Sequence, residues 1–226
     1  MIPLRDENPT RRRAYVTVAL IVVNIAVYFL WQHAPDATST GAFEYEHASI
    51  PCEITTGEPL SVTEVRTASC IADDAADAVF PGKHVLLAVV VSLFLHGSIV
   101  HLGGNLLFLW VFGNNVEDRL GPAVFLAFYL VAGVLATLAH VALQPTSTVP
   151  LIGASGAIAG VMGAYFVWYP NARVLSWVFF FPLRIQARWL LLYWFVSQFF
   201  LNPNEGVAWA AHVGGFVTGV LVALLL

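Results

Sequence analysis

The chain alternates long apolar stretches with short polar ones, and the first apolar stretch lies near the start. Residues 14–31 contain no charged side chain and follow three arginines at 11–13. About 20 apolar residues cross the roughly 30 Å hydrocarbon core of a bilayer, so this stretch is a predicted membrane span. A cleavable signal peptide is the alternative. Its apolar region is usually about 7–15 residues, and no A-x-A cleavage site follows here, so we expect an uncleaved span.

A polar segment over residues 32–83 separates this span from the rest of the chain. It holds nine acidic residues and both cysteines, Cys52 and Cys70. Its content of Pro, Thr, Ser and Gly predicts a loop with short helices rather than a domain with its own core. In an oxidising compartment the two cysteines are a possible disulfide, and two unpaired thiols are the alternative.

Residues 85–116 contain no Asp, Glu, Lys or Arg. One helix of that length would be about 48 Å long, too long for a bilayer, whereas two spans and a turn need more residues. We expect a short buried or re-entrant segment over 85–95, a break at 96–98, and a span over 99–116. Re-entrant backbone is tolerated only where protein or a water-filled cavity surrounds it, which predicts a cavity near His96.

The remaining apolar stretches bring the predicted total to six spans. They cover residues 122–143, 151–169, about 187–201 and 206–226, and the stretch 174–183, interrupted by Pro182, is expected at the membrane interface. The predicted fold class is an all-α membrane protein: a six-transmembrane-helix bundle with a large external loop, 32–98, between spans 1 and 2. Residues 1–13 would form a cytoplasmic N-terminal segment, and 14–226 one membrane domain.

Composition and charge agree with this count. The chain is 58% hydrophobic and 11% charged, with a mean hydropathy of +0.76, whereas a soluble domain has about 25% charged residues. An ordinary soluble domain, a disordered chain and a nucleic-acid-binding chain are therefore excluded. Six spans put eight of the ten basic residues on one side, as the positive-inside rule requires, with both termini cytoplasmic. A full span over 85–95 would reduce that division to four against six. The eight are Arg5, Arg11, Arg12, Arg13, Arg119, Arg173, Arg184 and Arg188, and the other two are Arg66 and Lys83.

Few polar side chains lie within the predicted spans, and several share one depth. Ionisable groups at membrane depth are costly and usually mark function, although hydrogen bonds between helices are an ordinary alternative. Spans 2, 4 and 6 run in the same direction. At about 1.5 Å per residue, four of these groups lie roughly 3–9 Å below the outer edge. They are His101 and Asn105 on span 2, Ser155 on span 4 and His212 on span 6. The other polar side chains of this kind within the spans are His140 on span 3 and Gln198 on span 5.

Small residues predict which spans touch. Gly156 and Gly160 on span 4, and Gly215 and Gly219 on span 6, each form a G-x-x-x-G pair. Such pairs let membrane helices approach backbone to backbone. Contact between these two faces would bring Ser155 beside His212.

A serine beside a histidine is the minimal pair of nucleophile and general base. No carboxylate lies inside a predicted span, so catalysis would use a dyad rather than a triad. Ser155 follows Pro150 and Gly153 at the start of its helix, where backbone N–H groups are unpaired. These groups, the Asn105 amide and an imidazole N–H of His101 are suitable donors to a developing oxyanion.

At these residues, over about positions 85–220, the chain resembles the rhomboid family of intramembrane serine proteases. Three motifs carry the resemblance in the right order on spans 2, 4 and 6. They are His96-x4-His101-x3-Asn105, then Gly153-Ala154-Ser155-Gly156, then Ala211-His212-Val213-Gly214-Gly215 followed by Gly219.

The resemblance implies a serine endopeptidase that cleaves single-span or multi-span membrane proteins in or near a membrane helix, without cofactor, metal or nucleic acid. Ser155 would be the nucleophile and His212 the base, with the Ser155 N–H, His101 and Asn105 stabilising the oxyanion. A structural role near the site is implied for His96, Gly153, Gly156, Gly215 and Gly219. The compact form resembles bacterial members, which implies the bacterial cytoplasmic membrane and a site that opens externally.

Two positions depart from the family pattern. Many members have Trp-Arg in the outer loop where this chain has Leu87 and Ala88, so packing or lipid contact there is expected to differ. An aromatic residue four positions after the nucleophile often packs against the base, and here that residue is Ala159. Another group must therefore orient His212, or the ring is held more loosely.

Two further features are interpreted as structural. Residues 117–119, Glu-Asp-Arg, resemble the family's E-x-R at the cytoplasmic end of span 2, and we interpret them as a local ion-pair network. His140 matches no motif and is expected to be a core histidine with its hydrogen bonds satisfied.

Two other functions fit the sequence less well. A non-enzymatic relative that binds membrane clients would be expected to lack the serine or the histidine, and both are present. A transporter or metal-binding protein would use His96, His101 and His212, but intramembrane carboxylates and inverted-repeat hydropathy are missing from the sequence.

Overall fold

The computed structural model describes residues 1–33, 40–71, 77–201 and 207–226. Helix α1, Tyr15–Ala26, continues as a π-helical stretch, Val27–Gln32. Helices α5, Val85–Val91, and α9, Ala187–Ser197, end in 3₁₀ turns, Ser92–Phe94 and Gln198–Phe200. The predicted start of the last span, at residue 206, lies outside the described residues. The elements are β1 Ile2–Asp6, α1 Tyr15–Ala26, α2 Thr40–His47, α3 Pro51–Thr56, α4 Val62–Thr67, α5 Val85–Val91, α6 Ile99–Leu120, α7 Pro122–Leu143, α8 Ser155–Trp168, β2 Arg173–Val178, β3 Phe181–Gln186, α9 Ala187–Ser197 and α10 Trp209–Leu225.

The protein is mostly helical. Within the described residues, three helical segments are long and apolar enough to cross a membrane: Tyr15–Gln32, Ile99–Leu120 and Pro122–Leu143. The apolar helices Val85–Phe94, Ser155–Trp168 and Trp209–Leu225 are shorter. After the 3₁₀ turn that ends α5 the chain is extended, and α6 then begins at Ile99 behind the N-cap residue Ser98.

Helix α8 is the centre of the bundle and packs against α6, α7 and α10. Its sequence is rich in Gly and Ala, and none of its 14 residues is exposed. The contact with α10 is between backbones. A Cβ atom on Gly215 would lie 2.1 Å from the carbonyl oxygen of Gly156, and one on Gly219 would lie 1.9 Å from that of Gly160. No side chain fits in that space, so glycine is required at both positions.

The all-α prediction is wrong in one part, because a three-stranded antiparallel sheet of order β1-β2-β3 is present. Strand β1 comes from the segment 1–13, and β2 and β3 come from the region we expected at the interface. In β2, Val174 and Ser176 are buried while their neighbours are not, the two-residue period of a strand. The continuous apolar run Val-Phe-Phe-Phe at the turn hid this alternation in the sequence. At that turn Phe179 adopts a left-handed φ of +51°, and both Phe179 and Phe180 are more than four-fifths exposed.

The N-terminal segment is fastened to the Leu120 end of the bundle by carboxylates. Asp6 accepts hydrogen bonds from the Asn115 amide and from the Tyr165 hydroxyl, the latter at 3.0 Å, and its burial raises the pKa of the Asp6 carboxyl. Asp118 accepts from the backbone N–H groups of residues 11 and 12 at 3.0 and 2.8 Å. Hydrogen bonds therefore join the N-terminal segment to this end of the bundle.

The prediction of a local ion-pair network at residues 117–119 is wrong, because Glu117 binds backbone groups instead. Its carboxylate accepts hydrogen bonds from the backbone N–H groups of Val16 (2.9 Å) and Thr17 (2.7 Å) and from the Thr17 hydroxyl (2.7 Å). The Arg119 guanidinium instead lies 4.6 Å from the centroid of the Trp168 ring. The N-terminal N–H groups of a helix have no intrahelical partner, so Glu117 caps α1 from a position 100 residues away.

The polar insert between α1 and α5 has short helices and small buried clusters. Cys52 and Cys70 form a disulfide with 5.8 Å between their Cα atoms. Lys83 forms a buried ion pair with Glu53, with 2.6 Å between Nζ and Oε2. Burial raises the pKa of the Glu53 carboxyl and lowers that of the Lys83 ammonium group, and the ion pair opposes both shifts.

Candidate active site

The segment that leads into α8 positions Ser155. The N–H of Leu151 donates to the carbonyl of Ser49 (2.7 Å), and the N–H of Gly153 donates to the carbonyl of Ser92 (2.9 Å). Gly153 has a φ of +122°, and a Cβ there would lie 2.8 Å from Nε2 of His101. Both the backbone conformation and the space therefore require glycine two residues before Ser155.

Ser155 and His212 are in hydrogen-bond contact, with 2.8 Å between Oγ and Nε2. Ser155 is the first residue of α8 and His212 lies in the first turn of α10. The glycine contact between the two helices begins one residue beyond Ser155, at Gly156. The same close backbone approach that defines the core of the bundle thus brings the two side chains together.

The other nitrogen of the His212 ring also has a partner. Nδ1 lies 2.7 Å from Oε1 of Gln198, which is 5% exposed and begins the 3₁₀ turn after α9. The ring centroid of Trp194 is 5.8 Å from that of His212. Sequence reasoning named Gln198 as a polar group in the membrane but gave it no role. The absence of an aromatic residue at Ala159 was the signal that another group had to orient the ring.

Hydrogen-bond donors lie around Ser155. The first backbone N–H groups of a helix have no intrahelical partner. At the start of α8 no side chain caps them either. On α6, the Ser98 hydroxyl accepts from the N–H of His101 at 3.1 Å and so fixes the start of that helix. Asn105, one turn further on, is 7% exposed, and its Nδ2 has no hydrogen-bond partner among the described residues.

A cavity of about 420 Å³ connects these groups. Ser155 and His212 line it together with His101 and Asn105, and the rest of its wall is mostly apolar. Val100 at its rim is 80% exposed. The apolar part of the wall comprises Phe108, Leu151, Ile152, Ile158, Met162 and Trp194, among others. The cavity combines a few convergent polar groups with apolar walls, as small binding sites commonly do.

His96 and His140 lie outside this contact. Gln32 at the end of α1 donates to the His96 carbonyl (2.8 Å) and accepts from its N–H (3.0 Å), and the His96 ring centroid is 5.1 Å from that of His101. His140 is buried, but its Nδ1 has no partner among the described residues. The prediction that its hydrogen bonds are satisfied is therefore wrong for that atom.

In the part of the chain that the structure describes, three side chains of the kinds that bind metals come close together once, at Cys52, Glu64 and Cys70. The disulfide between the two cysteines removes the thiolates that a metal would need.

A serine, a histidine and hydrogen-bond donors between apolar helices define a serine–histidine site within a helical bundle, and known proteins share its sequence context. The rhomboid domain model matches residues 83–226. The chain is 34% identical over 140 residues to Rhomboid protein 1, mitochondrial, of Saccharomyces cerevisiae, covering 60% of this chain and 40% of the yeast protein. It is 30% identical over 130 residues to Rhomboid protease GlpG of Yersinia pseudotuberculosis, covering 58% and 44%, and 31% identical over 135 residues to Rhomboid protease GluP of Bacillus subtilis, covering 59% and 25%.

The chain belongs to the rhomboid family, whose members are integral membrane proteins and include proteases. It spans less than half the length of these curated relatives.

Proposed function

We propose that this protein is an intramembrane serine endopeptidase that uses Ser155 as nucleophile and His212 as general base. The observation that carries the proposal is the 2.8 Å contact between Ser155 Oγ and His212 Nε2 beside a cavity. A serine hydroxyl is a weak nucleophile until a neutral imidazole accepts its proton, and this geometry supplies that acceptor.

The proposed reaction has two stages. Oγ attacks the substrate carbonyl carbon while Nε2 takes the hydroxyl proton, and the imidazolium then gives that proton to the leaving amine as the peptide bond breaks. A water molecule next attacks the acyl-enzyme, passes a proton to Nε2 and releases the acid, and Ser155 recovers its proton.

Charge that develops on the carbonyl oxygen is assigned to donors on residues that line the cavity. The proposed oxyanion donors are the Ser155 N–H, a ring N–H of His101 and the Asn105 Nδ2, which has no partner among the described residues. Preorganised donors of this kind cost no reorganisation at the moment of reaction, which is why they accelerate acyl transfer.

The proposed topology has six spans, α1, α6, α7, α8, α9 and α10, with α5 as a re-entrant segment and the insert 32–98 outside. It places both termini in the cytoplasm, and the site opens to the external side. The positions of the basic residues support this orientation. The bacterial cytoplasmic membrane is the proposed location.

The proposed substrates are single-span or multi-span membrane proteins, cut in or near a membrane helix. The apolar wall of the cavity and its position between helices support such a substrate. An extended backbone is needed at the cut, because in an intact helix the carbonyl groups are already hydrogen-bonded. No cofactor is proposed.

Purified protein in liposomes, incubated with labelled membrane-protein fragments and with a fluorophosphonate probe, tests the proposal. Cleavage, together with probe attachment at Ser155, is the expected result. A protein that binds the fragments without cutting them and does not react with the probe would instead be a catalytically silent client-binding relative.

Reporter fusions test the topology. Fusions at Asp118 and Arg184 should report the cytoplasm, and fusions at Gly57 and Pro145 the external side. An external signal at Asp118 would mean that α5 crosses the membrane, and the six-span arrangement would be wrong.

A further inference from the structure

Gln198 makes a hydrogen bond that the proposed dyad does not require. Its Oε1 lies 2.7 Å from Nδ1 of His212, on the side of the ring opposite Ser155. The side chain is 5% exposed. The imidazole is therefore held at both nitrogens, by a hydroxyl from α8 and by an amide from the end of α9.

The orientation of the Gln198 amide is fixed by its own surroundings. Its Nε2 donates to the carbonyl oxygen of Trp194 at 2.9 Å, and that oxygen can only accept. The Ser197 hydroxyl, which itself donates to the same carbonyl at 2.6 Å, accepts from Nε2 at 3.3 Å. A flipped amide would put two acceptors face to face, so Oε1 is the atom that faces His212.

We infer that Gln198 is a positioning residue that holds His212 in the tautomer with the proton on Nδ1. The inference rests on the proposed function and deepens it. Because Oε1 is an acceptor, Nδ1 must carry the proton, and the lone pair of a neutral ring then lies on Nε2, facing the Ser155 hydroxyl. This is the state in which the ring can accept the serine proton.

Gln198 thus takes the place that a carboxylate holds in soluble triads, without its charge. A neutral acceptor fixes the tautomer and the ring angle, but it stabilises the imidazolium less than a carboxylate does. The titratable groups that act on His212 from the packed helices are His101 on α6 and His140 on α7. Among the described residues of α8 and α9 next to the ring, none is acidic.

Two substitutions separate positioning from packing. Gln198→Met keeps the length of the side chain and removes the acceptor, whereas Gln198→Glu, in its protonated form, keeps the acceptor toward His212 and the donor toward the Trp194 carbonyl. Thr218→Val is the matched control. It removes a side-chain hydrogen bond on α10, from Thr218 Oγ1 to the Gly214 carbonyl (2.8 Å), away from the site.

For Gln198→Met we expect kcat to fall about 10–100-fold with KM unchanged, and labelling of Ser155 by a fluorophosphonate to slow by a similar factor. Gln198→Glu should recover most of this loss at neutral pH. Thr218→Val should match the parent, and all three melting temperatures should stay close to it.

A spectroscopic readout tests the inference without activity. In spectra of protein labelled with [¹⁵N]histidine, the signals of His212 are identified by their loss in His212→Ala. The parent should show protonated Nδ1 and unprotonated Nε2, and Gln198→Met should show a mixture of tautomers.

Parental activity or an unchanged tautomer in Gln198→Met would each overturn the role of Gln198. An inert parent that still shows the Nδ1–H tautomer, lost in Gln198→Met, would overturn the protease proposal while leaving the positioning role intact.

Discussion

Helices α8 and α9 both hold His212, but they are built into the molecule in different ways. Helix α8 has no exposed residue and meets α10 backbone to backbone. In α9 five of the 11 residues are exposed, and its contact with α10 is through aromatic side chains, such as Phe195 against Phe216 with ring centroids 4.8 Å apart. The proposed nucleophile, Ser155, is therefore held by a rigid contact, and the amide of Gln198 by a deformable one.

The difference suggests a division of labour between the two helices. Moving Ser155 relative to His212 requires separating two backbones that interlock at glycine, whereas moving Gln198 requires only that aromatic rings slide. Packed interfaces without side-chain freedom resist displacement, and side-chain contacts adapt. We expect changes on the α8 side to be far more damaging than equal changes on the α9 side.

The largest effect is expected from removing either member of the rigid pair. Ser155→Ala and His212→Ala should each lower turnover by about 10⁴-fold or more, because neither group works alone. Cleavage of a membrane substrate in liposomes measures the loss, and a melting curve shows that the variants fold. Ser176→Ala, a buried serine on β2 far from the site, is the control. A Ser155→Ala protein that folds and cuts at the parental rate would refute the dyad.

The next largest effect is expected from adding a single methyl group at the contact between α8 and α10. Gly219→Ala would place a Cβ 1.9 Å from the Gly160 carbonyl oxygen, and backbone cannot yield as a side chain can. We expect the melting temperature to fall by about 10 °C or more. The control is Gly103→Ala on α6, where a Cβ has no heavy atom within 4 Å. If both alanine variants melt together, the helix contact is less rigid than proposed.

A smaller loss is expected at Asn105. Its Nδ2 is buried and unpartnered within the described structure, so Asn105→Ala removes one proposed oxyanion donor and leaves the others. Loss of one such donor typically costs about 10²–10³-fold in kcat. Steady-state kinetics should show the change in kcat rather than in KM. Undiminished kcat would remove Asn105 from the oxyanion site.

The smallest effect is expected on the α9 side. Phe195→Ala removes a half-buried ring from Phe216, and lipid can replace much of that contact. We expect a loss of about 1 kcal/mol, or a melting temperature lower by about 2–4 °C. A drop as large as that of Gly219→Ala would show that α9 is packed as firmly as α8, and the comparison would fail.

The proximity of Ser155 and His212 could be predicted from the sequence, because the glycine spacing that causes it is visible there. The G-x-x-x-G pairs indicate which faces of the two helices meet. The helical repeat of 3.6 residues per turn then places Ser155 and His212 relative to those faces. Gln198 could be found but not assigned, because α9 lacks a stripe of small residues. The hydropathy of α9 is nearly uniform around the helix, so the pattern does not indicate which face of α9 contacts α10.

The sheet and the Glu117 contacts were beyond sequence reasoning for a different reason. Strand β1 pairs with β2 across about 170 residues, with Ile2 opposite Trp177. Pairings so distant leave no local periodic signal, and the apolar hairpin looked like membrane-surface sequence. Likewise, nothing local to Glu117 indicates that its partners are backbone groups at residues 16 and 17.

That long-range cap has a consequence for how the protein is made. The N–H groups that open α1 emerge from the ribosome about 100 residues before Glu117, the side chain that satisfies them. Until Glu117 has been synthesised, those groups must therefore bind water or another partner. The Glu117 carboxylate becomes available only when α6 has been synthesised. The start of α1 is therefore capped only after α6 is made.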